Sequence, residues 1–201
     1  MNILKRILGI TSKKESEKPL VKHEYESKFM PQKKLPVDEM FMDNFKKNGG
    51  KFLYCENEND LQNNFKYILK ENAWKKESVF VKSPELLSRF KISASKTKAS
   101  EADYFLSTTE YLIANIGALL IDSDQIGENR LADLPYNFIV IATTSQLLET
   151  IGEGLQLIKI HKSTIPSNIT TLKTFEGKLE SDFMSYGSPS KNLYLLLLED
   201  L

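Results

Sequence analysis

With 201 residues, 41% of them hydrophobic and 27% charged, the chain is long enough and apolar enough for one sizeable domain with its own core. Its 27 basic and 27 acidic side chains cancel, so no global charge draws it toward nucleic acid, and no nucleic-acid partner is expected. One cysteine, Cys55, and two distant histidines, His23 and His161, exclude a disulfide framework and any all-cysteine cluster, and argue against an imidazole metal site.

Charge is uneven along the chain. Residues 1–34 hold nine Lys/Arg against four Glu, a local excess of +5 that the rest of the chain offsets. Within this arm Ile3, Leu4, Ile7 and Leu8 share one face of a short helix, with Lys5 and Arg6 off it. Two readings stay open for residues 1–12: a docking peptide for a partner groove or an anionic membrane surface, or an arm that folds back on its own body or frays. Lys5 and Arg6 interrupt the apolar stretch, which argues against a signal sequence, and no run nears the ~20 apolar residues of a membrane span. A cytoplasmic location is the default expectation. Residues 11–34, rich in Lys, Glu and Ser with Pro19 and Pro31, read as a linker, so the expected organisation is an arm over 1–35 and a domain over 36–201.

In the domain, helical spacing through Met40, Phe41 and Phe45 predicts a helix over 36–47, stopped by Asn48-Gly49-Gly50. Residues 51–55 read as a strand, 56–72 as a helix with Leu61, Phe65, Ile68 and Leu69 on one face, and 78–82 as a strand. Pro84 suits the first turn of a short helix. The same order is expected after residue 100: a strand at 102–107, a turn or short helix at 108–115, and a strand at 117–122. Phe138 to Ala142 is an unbroken apolar run, as in a parallel strand covered on both faces. A helix over 145–158 and strands at 169–175 and 192–199 complete the chain. Alternating strands and helices predict an α/β fold, a mainly parallel sheet flanked by helices.

Residues 103–142, DYFLSTTEYLIANIGALLIDSDQIGENRLADLPYNFIVIA, resemble the central signature of the LUD domain family, the lactate-utilisation proteins of the LutC type. The matching positions are the turn from Ser107 to Glu110, then Ile113, Ala114 and Gly117, the strand from Leu119 to Ile121, Arg130, Leu134-Pro135 and the run from Phe138 to Ala142. The segment from Tyr186 through Gly187 and Pro189 into the last apolar strand is similar to the family's closing turn and strand. The resemblance implies the fold of ribose-phosphate isomerases, glucosamine-phosphate isomerases and coenzyme-A transferases. It also implies a part in converting L-lactate to pyruvate beside iron–sulfur partner subunits. Two departures are visible. Asn115 stands where family members usually carry an acid, and an amide cannot serve as a general acid or base near neutrality. The family's glycine-rich turn before its last helix is replaced by residues 170–177.

Candidate site residues follow from chemistry and from this kinship. Ser107, Thr108 and Thr109 form a hydroxyl turn after a strand, which offers hydroxyls and main-chain N–H groups to an anion or simply caps a helix. Glu110 is the candidate catalytic carboxylate by analogy with the transferase-like fold, and otherwise a first-turn acid. Arg130 offers a planar fork to a carboxylate or phosphate, or an ion pair to Asp124, Glu128 or Asp133. Asn115 and Gly117 complete the proposed ligand loop, although Gly117 equally suits a tight turn. No phosphate-binding glycine loop, nucleophile elbow or triad is present. No metal or cofactor is expected. Three functions remain open: an accessory lactate-utilisation protein, a binder or regulator for a small anion, or a degenerate isomerase- or transferase-like enzyme.

Overall fold

The computed structural model describes residues 35–173 and 191–200. The expected arm and linker over 1–34, the end of the strand expected at 169–175, residues 174–177 and the closing Gly-Pro turn lie outside them.

Helix α1, Val37–Lys47, has Asp38 and Glu39 in its first turn and Lys46 and Lys47 in its last, each sign suited to the helix dipole. It buries Phe41, Met42 and Phe45. Strand β1 is Lys51–Cys55. Asn57 starts helix α2, Glu58–Glu71, by accepting the Asp60 N–H at 3.0 Å. Strand β2, Val79–Val81, leads to helix α3, Pro84–Arg89, with its proline in the first turn. Strand β3 is Tyr104–Thr108.

The sequence expectation departs from the structure at residue 111. The segment expected as a turn or short helix contains strand β4, Tyr111–Ile113, which turns back into strand β5, Ala118–Asp122, as an antiparallel hairpin. Leu112 and Ile113 are both fully buried, on opposite faces of that hairpin, an alternation that a helix would not produce. Helix α4, Ser123–Ile126, follows, and strand β6, Asn137–Thr143, carries the expected apolar run.

A second correction follows β6. The expected 145–158 helix is a short 3-10 turn, Thr144–Gln146, then strand β7, Leu147–Leu148, and only then helix α5, Ile151–His161. Thr150 and Glu153 form a capping box at its start, a Thr-x-x-Glu signal legible in the sequence. Gly152 and Gly154 therefore sit in the first turn of α5. Strands β8, Ile169–Leu172, and β9, Asn192–Leu198, complete the described elements.

The main sheet is wholly parallel, in the order β1-β9-β6-β3-β2. Its central strands look uniformly apolar because both faces are covered. Phe138, Val140, Leu193, Leu195 and Leu197 face α1 and the hairpin, while Ile139, Ile141, Tyr194 and Leu196 face α2 and α3. Helices thus cover one face, but much of the other is covered by a second sheet, β7-β4-β5-β8, in which β5 is antiparallel to both neighbours. Beyond that sheet α5 packs on Ile113 and Leu120 through Ile158. A Cβ at Gly154 would lie 2.9 Å from Leu120, so the missing side chain sets how closely α5 approaches.

Lys191, 3% exposed, closes the amino edge of the parallel sheet. Its ammonium donates to the carbonyls of Leu134 at 2.9 Å and Pro135 at 3.1 Å, and lies over the Phe138 ring. Burial pulls its pKa down to about 8. Among the described residues no helix is long and apolar enough to cross a membrane.

Candidate functional site

In open α/β folds ligands bind beyond the carboxyl ends of parallel strands. Here that edge is formed by the residues that follow β1, β9, β6, β3 and β2. Two polar groupings lie along it.

The first is centred on Lys162, the residue that ends α5. Its ammonium donates to Glu110 Oε1 at 2.9 Å, Asp122 Oδ2 at 2.5 Å and Asp124 Oδ2 at 2.7 Å. Three N–H bonds meet three carboxylates. Glu110 comes from the loop after β3, Asp122 from the end of β5 and Asp124 from α4, so one lysine gathers three segments. Gln125 adds a further tie, donating to Glu110 Oε1 at 2.5 Å while its own oxygen accepts the Asp122 N–H. Burial by itself lowers the pKa of Lys162, but hydrogen bonds to Asp122, Asp124 and Glu110 and the charge of Glu110 together hold it above the ordinary lysine value. The three carboxylates lie within 4.8 Å of one another, a spacing able to hold a cation. The Lys162 ammonium supplies that positive charge.

The second grouping closes the loop after β6. Asp200 accepts hydrogen bonds from Thr144 Oγ1 at 2.8 Å, Ser145 N–H at 2.9 Å and Ser145 Oγ at 2.6 Å. Burial pushes its pKa up, but these bonds together outweigh that and bring it down to about 2. Beside it Tyr54 donates to Glu199, and burial together with that bond raises the phenol above its usual range. Gln146 joins the two groupings, donating to the carbonyls of Thr109 at 2.7 Å and Glu110 at 3.0 Å.

The sequence candidates distribute unevenly over this geometry. Ser107 is buried and its hydroxyl donates to the Thr108 carbonyl. Thr108 ends β3, half-buried beside Ile141. Thr109 is buried and its hydroxyl donates inward, to Leu120 O at 2.7 Å. The turn leads into β4 rather than into a helix, so none of these three hydroxyls acts as a helix cap. Glu110 stands in the Lys162 cluster. Asn115 and Gly117 lie in the turn at the other end of the β4–β5 hairpin, against α1, where Asn44 donates to the Asn115 carbonyl and Asn48 to the Gly117 carbonyl. Gly117 has φ of +60°, and a Cβ there would meet the backbone of Asn44 and Phe45 at 2.4 Å, so its role is to let that turn seat on the helix. Arg130 is exposed and makes no ion pair with another described residue; Asp124, one expected partner, is held by Lys162.

Sequence reasoning missed Lys162, Asp122, Gln125, Gln146 and Asp200. Two signals were available, the Asp-x-x-Gln capping box of residues 122–125 and the Thr-x-x-Gln capping box of residues 143–146. Nothing local marks Lys162, whose partners lie 38 to 52 positions away.

The model of the LUD domain matches residues 39–193. The chain belongs to the LUD domain family. A crystal structure of a DUF162 family protein from Deinococcus radiodurans is similar in fold, with a TM-score of 0.58 over 81% of this chain and 96% of that one, at 16% identity. No curated protein matches. Within this LUD domain the hairpin and the parallel sheet place Glu110 and the Asp200 loop on the edge where the fold class binds its ligands.

Proposed function

We propose that this LUD domain is a non-catalytic accessory component of L-lactate utilisation, acting in the cytoplasm beside iron–sulfur partner subunits. Its place in the family supports the pathway. The observation that carries the non-catalytic part is the state of Glu110, whose carboxylate is 19% exposed and already bonded to Lys162 and Gln125. A carboxylate held this way has little freedom to attack a substrate or to take its proton. Asn115, in place of the family's acid, faces α1 through its carbonyl and supplies no replacement. The lone Cys55 is fully buried, so this chain cannot hold a four-thiolate cluster, which fits a reading in which partners carry it.

The test is genetic and biochemical. Removing the gene from its host should abolish growth on L-lactate, and the tagged protein should co-purify with cysteine-rich proteins that show iron–sulfur absorption. Glu110→Gln should restore growth as fully as the wild-type gene. Unimpaired growth of the deletion strain would overturn the pathway. A folded Glu110→Gln protein that fails to restore growth would instead make that carboxylate chemically essential. A rise in melting temperature with coenzyme A or a sugar phosphate, and none with partner subunits, would favour the ligand-binding reading.

A further inference from the structure

We draw no further inference here: the strongest candidate, the turn over residues 143–146 at the carboxyl edge of the parallel sheet, is the start of a three-residue helix filled by the chain's own Asp200 carboxylate, and nothing in the structure points to an outside ligand there.

Discussion

The Lys162 ammonium lies 2.5 Å from Oδ2 of Asp122, a carboxylate with no solvent exposure that is 40 positions away in the chain. A buried carboxylate depends on its partner, because removing one member of such a pair leaves an uncompensated charge in a poorly solvated place. Glu110 and Asp124 join the same ammonium, so the end of α5, the loop after β3 and the start of α4 are held at one point.

Lys162→Met is therefore expected to lower stability by about 3 kcal/mol in chemical denaturation. It also leaves three carboxylates within 4.8 Å of one another and no lysine between them. Millimolar calcium should then raise the melting temperature of the variant and leave that of the wild type unchanged. A variant as stable as the wild type would mean that the cluster contributes nothing to the fold.

Two glycines predict opposite signs. Gly117→Ala places a Cβ 2.4 Å from the backbone of α1 at a φ of +60°, and should cost at least about 2 kcal/mol. Gly152→Ala, in the first turn of α5, meets nothing nearer than the Thr150 hydroxyl at 3.8 Å. It should stabilise by roughly 0.5 kcal/mol through the unfolded chain. Urea midpoints of the two variants against the wild type provide the check.

Lys191 makes stability depend on pH. Its pKa is near 10.5 in the unfolded chain and about 8 when folded, because burial disfavours the charged form. Between those values the unfolded chain binds the extra proton, so the lysine's contribution to stability rises with pH across that window. The difference in denaturation midpoint between the wild type and Lys191→Met should move in the wild type's favour from about pH 7.5 to about pH 9.5. A flat difference would show that the ammonium is not perturbed.

Asp200 gives the same sign at the acid end, because folding lowers its pKa as well. Its pKa falls from 3.8 to about 2 in the folded chain, so its contribution is complete above the unfolded value and is lost as pH drops through the folded one. Carboxyl carbon titration by NMR should show the Asp200 midpoint moving back toward 3.8 in Ser145→Ala, which removes the hydroxyl donor at 2.6 Å. No movement would place the cause elsewhere.

The parallel sheet was legible in the chain because its cause is local. The stretches from Phe138 to Ala142 and from Leu193 to Leu197 are apolar at every position, as strands with both faces covered must be, and helix α2 shows its stripe through Leu61, Phe65 and Ile68. The second sheet was less legible. Tyr111–Ile113 spans three residues, too few to separate a strand from a turn, and β7 spans two.

By itself the sequence determined the α/β class, the family and most element boundaries, since each rests on periodicity, capping or a contiguous motif. Tertiary structure alone decided that Glu110 belongs to Lys162 and Gln125, that Asn115 and Gly117 seat against α1, and that Asp200 closes the loop after β6. Those pairings join residues 15 to 71 positions apart, and no local pattern encodes which distant charge or backbone a side chain will meet once the sheets are stacked.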